Sequence, residues 1–463
     1  MLENPGKCGI MEKRNAPLEG AGTGGRAVNR RKFYLALVIF SLTGQIAWVV
    51  ENMYFNVFIY KMFHASAGDI SLMVEASAVA ATLTTIFMGA LSDRLQRRRI
   101  FMCLGYVAWG VSILAFALVR LDVIHAVFGA AAGAEVIAVT VVIILDCVMT
   151  FFGSTANDAA YNAWLTDCTD ETNRGRAEGI NSMMPLLAIL VVFGGFMGFD
   201  LSRAESWTAI YLIIGAAVLL IGLVGFLLVE EAPAPKPDEL GYWATILYGF
   251  RPDVVRQHRK LYGVLLAFVV FGISIQVFMP YLIIYYEQTL GMADYVLIMA
   301  PAIVLAAVLT AVYGKFIDRR GFRGAVFPAL MMLMAGYVLL LLFPGLIPVS
   351  GFAMKIPVFV GSLLMMSGYL CGMAVFGAQI RNETPARMAG RFQGLRIIAQ
   401  VLIPGVIGPA IGAAVLKNAE VIVNSDGTTS FLPSHAIFAA ALGVSLVLTA
   451  ALLLYFRRQR EKS

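Results

Sequence analysis

Charge is what this chain has least of. Asp, Glu, Lys and Arg make up 14% of its 463 residues, against roughly 25% in soluble domains. With 59% hydrophobic residues and a mean hydropathy of +0.79, the shortage excludes an ordinary soluble enzyme. Metal-ligand chemistry is scarce as well. The 5 cysteines (Cys8, Cys103, Cys147, Cys168, Cys371) lack ligand spacing and read as unpaired, and the 4 histidines (His64, His125, His258, His435) form no cluster. No metal or organic cofactor is expected. No nucleophile–base pair stands within the apolar runs, so the chain does not read as an enzyme. A cleavable leader is not expected either, because the first apolar run is long and follows a long polar tail. Gly20-Ala-Gly22-Thr-Gly24-Gly25 spells a dinucleotide fingerprint but follows no strand, which removes its meaning.

What is present is apolar length. A bilayer core of about 30 Å takes about 20 helical residues. Twelve segments reach or approach that length: 34–60, 70–92, 100–120, 138–165, 178–199 and 206–229, then 261–288, 295–317, 324–345, 354–379, 391–416 and 434–456. The start of the fourth is the least defined, since 121–145 is apolar throughout. The expected organisation is a disordered tail at 1–32, a six-helix bundle at 33–229 and a central loop at 230–260. A second six-helix bundle follows at 261–456, with a short tail at 457–463. The stretch from Leu240 to Phe250 is amphipathic enough to lie on a membrane surface.

The net charge of +6 does not point to nucleic acid, because the basic residues sit at the ends of apolar runs. With the N-terminus inside, the inner segments collect 26 Lys and Arg residues, and the outer side receives Lys61, Arg120, Arg203, Lys355 and Lys417. By the positive-inside rule both termini face the cytoplasm, and the chain is a multi-pass protein of the plasma (inner) membrane.

Two motifs occur twice, in the same order. Gly89-Ala-Leu-Ser-Asp93-Arg94-Leu-Gln-Arg97-Arg98-Arg99 is answered by Gly314-Lys315-Phe-Ile-Asp318-Arg319-Arg320-Gly321-Phe-Arg323. Glu171-Thr172…Arg174-Gly175-Arg176 is answered by Glu383-Thr384…Arg387, near Gly390-Arg391. Ordered repetition predicts a duplicated helical unit, with a binding site between the halves. In the paired loops Asp93 and Asp318 are placed to accept from a helix N-terminus or to pair with Arg94, Arg98 or Arg319, latching one conformation. Gly89 and Gly314 open these loops. Arginines that merely enforce topology are the plainer reading.

Acids inside a span cost roughly 2.5–3.5 kcal/mol on insertion scales and usually face a polar cavity. Asp158 lies nine residues before Asp167, about 13 Å along a helix and so near mid-membrane. Asn162 is one turn on and Trp164 is close. Carboxylate, amide and indole suit hydroxyl hydrogen bonding and ring stacking, and a carboxyl shielded from water can take up and release a proton. A structural acid bonded to neighbouring helices is the alternative. On the first helix Gln45, Asn52 and Asn56 share a face beside Trp48 and Glu51, and Glu51 is a second coupling candidate. Glu75 and Asp146 read as residues of an outer mouth or as solvated helix ends. Gln276 is a candidate contact in the second half, and Arg396 lines the cavity or snorkels inward. Tyr286 fits an interfacial belt. The glycine runs Gly194…Gly198 and Gly405…Gly408…Gly412 read as close helix packing.

The loop Gly89-x-Leu91-x-Asp93-Arg94-x-x-Arg97-Arg98, with twelve helices and a central loop, resembles the signature of the major facilitator superfamily over nearly all of residues 33–458. The resemblance implies two pseudo-symmetric six-helix bundles, a central cavity and alternating access. Asn157-Asp158-Ala-Ala-Tyr161-Asn162-Ala-Trp164-Leu-Thr-Asp167 is similar to the fourth helix of the glycoside–pentoside–hexuronide:cation symporters, whose aspartate there serves sugar and cation binding. Gly44-Gln45-Ile-Ala-Trp48-Val-Val-Glu51-Asn52 resembles the related sucrose–proton symporters. The acidic pairs of melibiose-type members on the second helix are missing, and so is an arginine in the fifth.

The expected function is symport of a sugar or glycoside, coupled to a proton or, alternatively, to sodium. An amphipathic or drug-like cargo is the rival reading, and a non-transporting receptor the second. The partners are a small solute, the coupling ion and lipid; such bundles can work as monomers.

Overall fold

The computed structural model describes residues 29–129, 133–169, 173–231, 242–346, 352–385, 389–424 and 427–460. The expected N-terminal tail up to residue 28 and the Pro-rich opening of the central loop therefore lie outside the described residues. Six long helices precede that loop: α1 (Arg30–Phe63), α2 (Ala67–Leu95), α3 (Arg98–Phe116), α4 (Ala134–Asp167), α5 (Arg174–Phe196) and α6 (Ala204–Leu228). After it come α7 (Arg259–Thr289) and a continuous helical stretch, Val296–Leu346. At 1.5 Å per residue its 51 residues span about 75 Å, far more than one crossing needs. It breaks at Gly321, whose φ of 63° is left-handed, so its two arms are α8 and α9. They are followed by α10 (Phe352–Glu383), α11 (Phe392–Leu416) and α12 (Ala436–Arg460). The described residues thus form a predominantly helical membrane protein with twelve crossings.

Local chemistry sets the helix ends. The Asn29 side chain accepts from the Arg31 and Lys32 amides at the start of α1, and Ser66 with Asp69 forms a capping box at the start of α2. Between α3 and α4 a separate short helix, Leu121–Phe128, occupies the apolar stretch that obscured where α4 begins. The central loop carries Tyr242–Ile246 and Pro252–Gln257 as short helices, and Trp243 rests on Phe87 of α2. Two strands, β1 (Val421–Val423) and β2 (Thr429–Phe431), pair antiparallel between α11 and α12. No apolar–polar alternation in the sequence marks them.

Packing follows the duplication. In the first half α1 lies on α5, α3 on α6 and α2 on α4; in the second α7 lies on α11 and α12, and α10 on the α8–α9 pair. The halves meet where α2 packs on α11 and where α5 packs on α8, with Phe193 against Tyr295 just before α8. Exchanging the halves turns the first contact into the second, as a duplicated unit requires.

The glycine readings divide. Among the described neighbours nothing lies within 4 Å of a Cβ placed on Gly194, so that run does not bring helices together. A Cβ on Gly405 would sit 2.6 Å from the Ala78 Cβ of α2, and one on Gly110 of α3 2.6 Å from the Leu219 Cβ of α6. Gly110→Val and Gly405→Val are each expected to destabilise the protein by about 1–3 kcal/mol, whereas Gly194→Ala leaves stability unchanged or higher. Thermal unfolding of the detergent-solubilised protein compares the three.

Candidate functional site

The exposed edge of α4 changes character along its length. Thr140, Ile144, Val148 and Phe151 are exposed, and the same helical stripe continues through half-buried Asp158 to exposed Asn162 and Thr166. Asp158 lies in a π-helical segment, Ser154–Tyr161, whose wide turns often mark functional positions. Ser154 Oγ donates to its Oδ2 (3.0 Å), and the Asn157 amide reaches its Oδ1 (3.4 Å). Asn157 is itself held by the Tyr106 hydroxyl of α3 (3.0 Å). The Asn162 amide donates to the Asn157 and Asp158 carbonyls, which carry the extra lone pairs of the π turn. Asp158 is therefore oriented by its own helix and stands half-buried.

On α1, Ser41, Gln45, Trp48 and Asn52 fall on one face. Ser41 and Tyr161 both donate to Asn181 Oδ1 of α5 (2.7 and 2.8 Å), tying α1, α4 and α5 together. Asn52 is exposed and bonded to the Trp48 carbonyl, while Trp48 leans on Trp109 of α3. Gln45 is half-buried.

Several residues stand elsewhere than expected. Trp164 is fully buried; its indole nitrogen donates to the Glu230 carbonyl and its ring packs on Phe33, so it closes the end of the first half and lines no cleft. Neither is Asp146 a mouth residue: it is 2% exposed. It lies within Coulombic reach of Glu51, itself 7% exposed, at the α1–α2–α4 junction. Tyr286 is buried and bonded to Ser362 (2.7 Å), not part of an interfacial belt. Gln276 sits against Gly408 of α11. Arg396 is exposed beside a pocket of about 220 Å³ that also borders Arg381 and lies within Coulombic reach of Glu178 of α5.

The paired loops differ. Arg98, at the start of α3, is buried and bonds Asp93 Oδ1 (2.5 Å), Asp167 Oδ2 (3.0 Å) and Ser92 Oγ (2.7 Å), joining the ends of α2, α3 and α4. Arg94 and Arg97 are exposed, and Gly89 lies 3.9 Å from the Ala159 Cβ as measured from an added Cβ. In the second half Asp318 and Arg319 are exposed without an ion-pair partner among the described residues, and Gly314 has no neighbour at its Cβ position. The matched motifs fold into unmatched networks because the second loop turns at Gly321 and carries no buried arginine.

Hydrogen bonds between the halves cluster at the face opposite the termini. Lys61 at the end of α1 pairs with Glu287 of α7. Tyr60 donates to the Phe431 carbonyl of β2 (2.7 Å), Tyr295 meets Tyr54 (3.2 Å), and Tyr281 donates to the Ala67 carbonyl (3.0 Å). His64 is bonded to Ser430 and Asn424 of the hairpin region. A cavity of about 680 Å³ lies at this face, bordered by Lys61, His64, Arg120 and Asn424. Neither cavity includes Asp158.

A family model described as Major Facilitator Superfamily matches residues 33–409, and the chain belongs to that superfamily. It is a transporter, not an enzyme. No curated protein sequence matches the chain. Among solved structures, a mutant of the nucleoside transporter NupG is 13% identical with a TM-score of 0.67, covering 91% of this chain and 99% of that one. A bacterial homolog of the human lysosomal transporter Spinster, in an inward-facing and unoccupied conformation, is 16% identical with a TM-score of 0.62, covering 93% and 98%. At these identities the likeness is one of fold.

Arg98→Ala strands the Asp167 carboxylate, whose side chain is 7% exposed. It is expected to lower stability by about 3 kcal/mol, as removal of one partner from a buried pair does; thermal unfolding beside Arg94→Ala, which is expected to do little, checks this. Lys61→Ala is expected to weaken closure at the far face. Thiol labelling of a cysteine introduced at Gln288, which borders the far-face cavity, should then speed up several-fold over the same cysteine with Lys61 intact.

Proposed function

We propose that this major facilitator transporter carries a hydroxyl-rich solute, a sugar or glycoside, by symport with a cation: a proton, or in the second place sodium. The observation that carries the reading is the α4 edge, where an apolar stripe gives way to Asp158, Asn162 and Thr166. A carboxylate facing lipid at that depth is costly, so the stripe is suited to line water and solute. Asp158 and Asn162 offer carboxylate and amide-oxygen acceptors for hydroxyl groups, with Gln45 and Asn52 of α1 as further amides. The NupG-like fold widens the solute panel, since nucleosides are N-glycosides. The excess of Lys and Arg near the termini supports a cytoplasmic position for that face, in the plasma membrane. Solute binding from that side and rocking of the two halves, with the Lys61–Glu287 tie broken, would complete the cycle.

The test is electrogenic current in proteoliposomes under an inward proton gradient, across a panel of glycosides and nucleosides. At least one should produce current, and Asp158→Asn should lower it about tenfold or more, equivalent to about 1.4 kcal/mol. Undiminished uptake by Asp158→Asn would remove Asp158 from the site. Stimulation by lysolipids with indifference to every glycoside would favour an amphipathic cargo, and binding without flux a receptor.

A further inference from the structure

The acids Glu51 and Asp146 lie outside the α4 stripe and need an explanation of their own. Glu51 stands in a second π-helical segment, Val50–Tyr54 of α1. Ser77 Oγ of α2 and Thr150 Oγ1 of α4 both approach its Oε1 (2.8 and 2.9 Å) and lie 2.9 Å from each other. Two hydroxyls bring two hydrogens, whereas two carboxylates present four oxygens. Glu51 Oε2 and Asp146 Oδ1 have no hydrogen-bond partner among the described residues. A third group of the same kind comes from another helix: the Tyr211 hydroxyl of α6, buried and without a hydrogen-bond partner among the described residues, lies within Coulombic reach of Asp146. Among the described residues Asp158 and Cys147, both on α4, also lie within such reach. No Lys or Arg forms an ion pair with either acid among the described residues. Two like charges in a dry pocket cannot both persist, and one carboxyl of such a pair holds a proton.

We propose that Glu51 and Asp146 hold one proton between them, making the α1–α2–α4 junction the coupling-ion site of this transporter, separate from the solute cleft at Asp158. The proposal deepens the symport reading and rests on it. Uptake forms one O–H bond, at Glu51 Oε2 or Asp146 Oδ1, from a proton of the bulk phase, and takes the pair from two negative charges to one. Release reverses both changes and needs water to reach the pocket, since two charges do not persist there while it is dry. The pair titrates as a unit, so the proton belongs to neither residue alone. The site is one turn from Tyr54, whose hydroxyl meets Tyr295 across the halves, so the charge of the pair changes beside a contact that must break when the far face opens.

Infrared spectroscopy of the full-length protein in liposomes, at pH 7 with choline as the only monovalent salt cation, tests the proposal without any solute. The wild type should show a protonated-carboxyl band that the Glu51→Gln/Asp146→Asn double variant loses, while Asp158→Asn keeps the difference between the two. The isosteric single variants should each shift the pH at which that band titrates, and they serve if the double variant does not fold. Coincident wild-type and double-variant spectra overturn the proposal, or, where the double variant does not fold, single variants that titrate as the wild type does. Loss of the wild-type band on exchanging choline for sodium at constant pH also overturns it, assigning the pocket to a metal cation. A positive band without gradient-driven flux would instead sink the symport reading and leave the proton site standing.

Discussion

Inside a hydrocarbon layer a charge has no solvent to stabilise it, and each ionisable side chain must find a partner, a proton or a path to water. The described part of this protein uses all three answers. Arg98 gathers Asp93, Asp167 and Ser92 into one network at the terminal face of the first half. Asp158 is held by its own helix and left half-buried. Glu51 and Asp146 are enclosed together with two hydroxyls, the arrangement that a shared proton satisfies. The placement of these groups on α1 and α4 also accounts for the π segments. A wide turn frees carbonyls and rotates a side chain out of the regular helical stripe, which is how α4 presents both Asp158 and the Asn162 amide beside it.

The duplicated architecture supplies the mechanical half. Contacts of α2 with α11 and of α5 with α8 exchange under the internal symmetry, so neither half is anchored by a unique element. Asymmetry enters through side chains. Lys61–Glu287, Tyr54–Tyr295 and Tyr60 with the hairpin tie one face shut, and the buried arginine network exists in the first half alone among the described residues. A fold whose halves touch symmetrically but are locked by asymmetric polar contacts can exchange between two closures without repacking its core.

Chain order and composition carried much of this. Apolar run lengths located the crossings to within a few residues, and the Asp93 and Asp318 loops exposed the duplication, because both signals are local and one-dimensional. Four readings went astray, for two reasons. Trp164, Asp146 and Tyr286 were placed by depth along a helix, which says nothing of the direction in which a side chain points. Asp318 was placed by motif, yet in the second copy Arg323, at the position of Arg98, is exposed after the turn at Gly321. The α11–α12 hairpin escaped notice because three-residue strands are too short for their alternation to register.

The amino-acid order alone determined membrane residence, the number of crossings, the duplication and the two helices that bear the acids, since each follows from hydropathy, spacing or repetition along the chain. Tertiary structure decided which acids share a pocket. Glu51 and Asp146 are far apart in sequence, and only the crossing of α1 and α4 beside α2 brings them within each other's field. It likewise decided that Trp164 seals a helix end and that the first loop alone holds a buried network, because those outcomes depend on rotation about helix axes and on what the neighbouring helix presents.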